Sequence, residues 1–184
     1  MICYLVRHGK DDETVRGGWS DSSLCSEGIA QVEHLANCLT QDPDFQIGCI
    51  FASDLNRTKQ TAEILKRSFQ MPVEYCPEFR EVNNGLLAGM KNELAAIEFP
   101  GLYWSTLDWN EAYPEGESPK AFYDRVRNGW ENLKKDIRDL PYDVMLVTHG
   151  GVINVIQCIE HGIVYSNKTN PFPVGYAEMT TIEI

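Results

Sequence analysis

No stretch of this chain approaches the ~20 consecutive apolar residues that a membrane-spanning helix requires. The N-terminal apolar run is over by Arg7, too short for a secretory leader. The six cysteines, Cys3, Cys25, Cys38, Cys49, Cys76 and Cys158, contain no CxxC pair and no repeated spacing. Neither a zinc site nor a disulfide framework is legible in them, and scattered thiols fit a reducing compartment. No carboxylate or Cys/His cluster shows metal-ligand geometry, so no metal is expected. Asp11–Glu13 and Asp42-Pro43-Asp44 read as solvated loops. Positive charge is scarce: 16 Lys and Arg stand against 27 Asp and Glu, for a net charge of −11. That balance argues against nucleic acid or an anionic membrane as a partner. Internal repeats and low-complexity segments are missing, and nothing marks an oligomeric state. What remains is a cytoplasmic chain with one domain over residues 1–184, able to bury roughly 70% of its unfolded surface. A small phosphorylated metabolite stays compatible with the acidic balance, because a local cluster of Arg and His can outweigh a distant acidic surface.

The apolar pattern alternates between two periods. Ile2–Val6, Cys49–Ala52, Pro72–Tyr75 and Val144–Val147 are short apolar runs of the kind buried strands show. Ile29, Val32, Leu35, Ala36 and Leu39 mark a helix with Ser26 as its N-cap. Leu55, Thr58, Ala62, Leu65 and Phe69 keep helical spacing after the capping pair Ser53-Asp54. Ser118-Pro119 is an N-cap followed by proline at the first helical position, and Phe122, Val126, Trp130, Leu133 and Ile137 form one stripe behind it. Gly151–His161 is a helix stopped by Gly162. Ala177–Ile184 is a last, peripheral strand. Alternating strands and helices predict a three-layer α/β/α sandwich around a mostly parallel sheet. Residues 90–117 break the rhythm. They hold Phe99, Tyr103, Trp104, Trp109 and Tyr113 and read as an excursion over the site.

Function is carried by what stands at the strand ends. Arg7-His8-Gly9 closes the first strand and Thr148-His149-Gly150-Gly151 closes the last strand of the α/β run. In open α/β sheets, ligands gather at the carboxyl ends of the strands. Ala52–Ala62 leaves another strand and brings Arg57 into the opening turn of a helix. Pro114-Glu115-Gly116-Glu117-Ser118 precedes the long helix. From Ile2 to Val155, in order and spacing, these motifs resemble the histidine phosphatase superfamily, also called phosphoglycerate mutase-like. The resemblance implies a metal-independent phosphomonoesterase without cofactor, working through a phosphohistidine. It implies His8 as nucleophile, with Arg7, Arg57 and His149 holding the phosphate at the catalytic centre. It implies Glu81, in Glu81-Val82-Asn83-Asn84-Gly85, as proton donor, with Glu78 the nearest rival. Ser26-Glu27-Gly28 and Gln31 match the start of the family's first helix.

Physical chemistry supports the assignment. Phosphoryl transfer spreads charge over three equatorial oxygens, which suits guanidinium forks. A neutral imidazole can attack in line if its other nitrogen is pinned by a carbonyl, and an alkoxide leaving group needs a proton. Two departures stand out. Lys10 occupies the place where the family carries Glu or Gln. No arginine lies between Arg80 and Arg125, and only Lys91 and Lys120 fall there. That gap weighs against the alternative of a cofactor-dependent, phosphoglycerate mutase-type isomerase. Together with the five aromatics it predicts an ester with a neutral or ring-bearing remainder. A catalytically retired phosphate-binding module is the third possibility, opposed by the retention of Arg7, His8, Arg57, Glu81 and His149. His34 reads as an exposed helix residue and His161 as a helix C-terminal one.

Overall fold

The computed structural model describes all residues, Met1–Ile184. Five strands, β1 (Ile2–Arg7), β2 (Ile47–Ala52), β3 (Val73–Tyr75), β4 (Asp143–Thr148) and β5 (Met179–Glu183), form one sheet in the order β3-β2-β4-β1-β5. The first four pair in parallel, and β5 joins β1 antiparallel at the edge. The parallel strands read as unbroken apolar runs because both faces are covered. Successive side chains point to opposite faces. Cys3 and Leu5 of β1 and Val144 and Leu146 of β4 therefore enter one core, while Tyr4, Val6, Met145 and Val147 enter the other.

The first face is covered by α4 (Pro119–Ile137) and α5 (Gly150–Glu160), through Phe122, Val126, Trp130 and Val152. The second is covered by α1 (Ser26–Gln41) and α2 (Asn56–Phe69), through Val32, Ala36, Ala62 and Leu65. This is the three-layer α/β/α sandwich that the alternation predicts. No helix is long and apolar enough to cross a membrane, and all six cysteines are free thiols.

Several element ends differ from the sequence reading, and each has a local cause. Ser118 does cap α4, its Oγ accepting from the Ala121 N–H at 3.1 Å. The caps of α1 and α2 are Cys25 and Leu55, and neither uses a side-chain bond. Ser26 is already helical. Ser53 and Asp54 are engaged elsewhere, Ser53 with His149 and Asp54 with Arg80. β2 starts earlier than Cys49, with a register irregularity between Ile47 and Cys49. β5 is shorter than Ala177–Ile184, because Ala177 sits at φ 52° in a turn whose N–H reaches the Arg7 carbonyl at 3.1 Å. The irregular region contains α3 (Asn92–Glu98) and a 3-10 turn at Trp104–Thr106, with a small core of Leu87, Leu107 and Tyr113. Trp104 stacks on Tyr113 and meets Phe122 of α4 edge-on, at 6.0 and 5.5 Å between centroids. Trp109 packs on Tyr123 and Tyr165. Most of these aromatics are packing residues, while Tyr103 stays 44% exposed.

Gly9 and Gly28 explain how the first loop meets α1. A Cβ on Gly9 would stand 2.5 Å from the Gly28 carbonyl oxygen, and one on Gly28 would stand 2.0 Å from that of Lys10. The loop after β1 lies directly on the first turn of α1, and only glycine on both sides permits that approach.

Candidate active site

The carboxyl ends of three central strands converge. The His8 N–H donates to the Thr148 carbonyl and the Ser53 N–H to the Val147 carbonyl, both at 3.0 Å. These bonds set His8, Ser53 and His149 side by side just beyond the sheet. The His8 and His149 rings meet edge-on with centroids 5.1 Å apart.

His8 is 5% exposed and its Nδ1 lies 2.7 Å from the Gly9 carbonyl oxygen. A carbonyl can only accept, so Nδ1 carries the hydrogen and Nε2 keeps its lone pair. The Arg57 Nε–H points at that lone pair at 3.3 Å. Burial, and then the Arg57 and Arg7 charges, hold the His8 pKa well below the usual 6.5, outweighing the opposite pull of the Gly9 bond. The imidazole is neutral at pH 7.

Arg57 enters from the first turn of α2 and is 2% exposed. Its Nη1 donates to the Ser20 carbonyl at 3.3 Å and its Nη2 to that of Gly18 at 2.7 Å. Arg7 donates from Nη1 to the Val174 carbonyl at 2.7 Å and lies flat on Tyr176, its Cζ 3.9 Å from the ring centroid. The Arg7 Nε is buried without a partner, and so is His149 Nδ1. His149 is fully buried, and its Nε2 meets Ser53 Oγ at 2.9 Å. Its pKa too lies well below 6.5, chiefly through burial, with Arg57 and His8 adding to the effect. Arg7, His8, Arg57 and His149 therefore lie together at the strand ends, and two of their buried nitrogens, Arg7 Nε and His149 Nδ1, have no protein partner. Such an arrangement suits a compact anion.

Glu81 stands at the rim. Its Oε1 accepts from the Val82 N–H at 3.1 Å and its Oε2 from the Gly151 N–H at 3.2 Å. Its carbonyl accepts from Trp19 Nε1 at 2.7 Å and from Arg125 Nη2 at 3.1 Å. Arg125 also grips Glu117 and the carbonyls of Glu78 and Arg80, so its guanidinium is spent holding the Glu81 loop. Glu78 lies elsewhere, in a groove of about 640 Å³ with Cys49, Glu74, Cys76 and Asp136 between the sheet edge and α4. This largest cavity contains neither histidine, so size does not locate the chemistry here.

Other residues differ from their sequence reading or were missed by it. Lys10 turns away from the pocket to Glu27 at 2.8 Å and Glu13 at 3.5 Å, and its N–H reaches Gln31 Oε1 at 3.0 Å. Asp11 is not a solvated loop carboxylate. It is 8% exposed, with Oδ2 3.5 Å from Arg57 Nε. Ser53, Thr61 and Tyr176 also belong to the site; Thr61 Oγ1 accepts from the Gly9 N–H at 3.2 Å. Ser53 could have been found from its place one residue past β2. Tyr176 has no sequence signal. The arginine-free interval is not free of cations in space, because Arg16 from the first loop reaches Tyr103.

Comparison with known proteins agrees on the superfamily and differs on the reaction. The family model of the histidine phosphatase superfamily (branch 1) matches residues 3–184. A protein of Escherichia coli described as probable phosphoglycerate mutase GpmB is 34% identical over 158 residues, 80% of this chain and 68% of that protein. The alpha-ribazole phosphatase of Shigella flexneri superposes with a TM-score of 0.85 at 26% identity, covering 100% of this chain and 91% of that one. A mycobacterial glucosyl-3-phosphoglycerate phosphatase superposes with a TM-score of 0.79 at 25% identity, covering 99% and 89%.

Proposed function

Because the chain belongs to the histidine phosphatase superfamily, branch 1, we propose that it is a metal-independent phosphomonoesterase that hydrolyses a small phosphorylated metabolite through a phosphohistidine on His8. The observation that carries this reading is the state of His8: neutral, its Nδ1 hydrogen held by Gly9, its Nε2 lone pair facing Arg57. The phosphatase names of two structural relatives point the same way.

In the first step Arg57 Nε, Arg7 Nε and His149 Nδ1 turn their hydrogens to the phosphate oxygens. His8 Nε2 forms a bond to phosphorus as the ester P–O bond breaks, and the leaving alkoxide takes a proton from Glu81. The Nδ1–H···O=C bond to Gly9 steadies the positive charge that the ring acquires. In the second step a water gives its proton to the Glu81 carboxylate and attacks phosphorus; the N–P bond breaks and phosphate leaves. The chain's own guanidinium groups supply the charge stabilisation that a metal provides in other phosphatases. Splitting one displacement into two easier ones is the gain from the covalent intermediate.

Rapid quench with a ³²P-labelled monoester should trap an acid-labile, base-stable phosphoenzyme, and His8→Ala should abolish both the label and turnover. Near-normal turnover by His8→Ala would end the reading. The name carried by the curated relatives supports a mutase instead. Interconversion of phosphoglycerates dependent on a bisphosphate, without phosphate release, would establish that alternative, whereas a silent site with intact phosphate binding would mean a retired module.

A further inference from the structure

Two arginines in this chain bury a guanidinium Nε that has no partner: Arg7 and Arg16. Arg7 belongs to the phosphate pocket. Arg16 does not, yet it shows the same pattern. The other arginines are accounted for. Arg57, Arg80, Arg125 and Arg127 each face a carboxylate, and Arg67 and Arg138 are exposed on helix ends. Arg16 is half-buried, faces no carboxylate, and lies over Tyr103 with its Cζ 4.6 Å from the ring centroid. Its charge also reaches Tyr113. Its backbone is fixed, the Arg16 N–H donating to the Met90 carbonyl and its own carbonyl accepting from Gly89, both at 2.8 Å. A buried donor left without a partner is costly, and a guanidinium fork held rigid on an aromatic face is ready for a carboxylate or phosphate.

The position fits a substrate contact. Gly18, two residues on, gives its carbonyl to Arg57 Nη2 at 2.7 Å. Arg16 therefore leaves the same loop that steadies the phosphate pocket, its backbone at most about 7 Å of chain from the Gly18 carbonyl that holds Arg57.

We propose that Arg16 anchors a second negatively charged group, carboxylate or phosphate, on the alcohol part of the substrate, making the preferred substrate an acidic phosphomonoester. This rests on the phosphatase reading and replaces the neutral remainder expected from the arginine-free interval. The rival anchor is Lys168. It lines a hollow of about 220 Å³ beside Gly151 and pairs only with the 87%-exposed Asp108, at 3.5 Å.

The test compares matched esters of two lengths, 3-phosphoglycerate against glycerol 3-phosphate and 4-carboxyphenyl phosphate against phenyl phosphate. Each is measured with the native chain, Arg16→Gln, Arg16→Lys and Lys168→Gln, by kcat/KM and by the rise in Tm that each ester produces. The native chain should favour the acidic member of at least one pair. Arg16→Gln should shrink that ratio about ten- to a hundredfold, the value of hydrogen bonds to a charged group, and Arg16→Lys should restore part of it. A ratio unchanged in Arg16→Gln, or one that collapses in Lys168→Gln instead, overturns the assignment. Turnover of none of these esters, with the Arg16-dependent difference in Tm intact, would remove the phosphatase reading and keep the anchor.

Discussion

Asp11 places a carboxyl group inside the pocket where we propose that the phosphate binds. Its neighbours are Arg57 and Arg7, with Glu13 and the Tyr176 hydroxyl on the outer side. Burial raises its pKa above the ordinary 3.8, more than the two arginines lower it. Once ionised, it competes with a phosphate dianion for Arg57. Phosphate affinity should therefore fall as pH rises through the Asp11 titration. Asp11→Asn should bind inorganic phosphate about tenfold more tightly than the native chain at pH 8, and the two should converge in acid; competitive inhibition constants across pH measure this. Equal or weaker binding by Asp11→Asn would refute the competition. Glu81 makes a second prediction. A general acid is worth roughly 10²–10⁴ in rate, chiefly for basic leaving groups. Glu81→Gln should thus slow an alkyl phosphate far more than p-nitrophenyl phosphate, whereas Glu78→Gln, in its separate groove, should show no such contrast. Equal losses on both substrates would make Glu81 a positioning residue. At this scale the sequence is legible where chain position decides. His8 and His149 stand just past buried strands, and so does Ser53. Asp11 and Arg16 are not legible, because an acid within an acidic run looks solvated, and only the pairing of residues 14–16 with 89–92 carries Arg16 to Tyr103.

The opening turn of α5 is the element on which Glu81 depends. Its N-cap is His149, and its second residue, Gly151, donates its N–H to Glu81. A Cβ on Gly151 would stand 2.4 Å from Glu81 Oε1, so Gly151→Ala must push the carboxylate aside. Alanine is otherwise favoured in a helix by up to about 1 kcal/mol. The fold should therefore survive with little change in Tm, while kcat/KM for an alkyl phosphate drops roughly a hundredfold, as a 1 Å misplacement can cause. A fully active Gly151→Ala would mean that Glu81 need not sit where it does. Element existence was readable throughout the sandwich, since the strand and helix periods are strong there. Caps were less so. Ser118 behaves as sequence suggests, but Ser53 and Asp54 have stronger partners in His149 and Arg80 and leave α2 to Leu55. α3 and its flanking turns leave no periodic signal in the sequence, because residues 90–117 pack through aromatics at irregular spacing.

At the scale of the whole molecule, the sheet buries two neutral histidines, and that ties stability to pH. The folded pKa values of His8 and His149 lie well below 6.5, first through burial and then through the nearby arginines. In the unfolded chain both protonate near 6.5. Below that pH the unfolded state binds more protons than the folded one, so stability is lost as pH falls. Each histidine contributes a slope of up to about 1.4 kcal/mol per pH unit once the unfolded ring is protonated. Two other effects run the opposite way. The net charge of −11 shrinks as pH approaches the isoelectric point of about 4.8, which relieves self-repulsion. Asp11, with its raised pKa, is held protonated more firmly in the folded state, which favours folding as pH falls. Asp12 and Asp54, whose pKa values are lowered, lose their contribution only below their ordinary 3.8. Between pH 6.5 and 5 the histidines therefore oppose charge relief and Asp11. Urea unfolding of the native chain should show stability falling across this window despite the approach to zero net charge. His149→Gln, which cannot titrate, should be less stable at pH 7.5 because it disturbs a buried contact. Its stability should nevertheless fall less steeply from pH 6.5 to 5, by up to about 1.4 kcal/mol per pH unit. Parallel curves for the two chains would mean that His149 is protonated as readily folded as unfolded. That outcome would remove the neutral-histidine basis of the pocket.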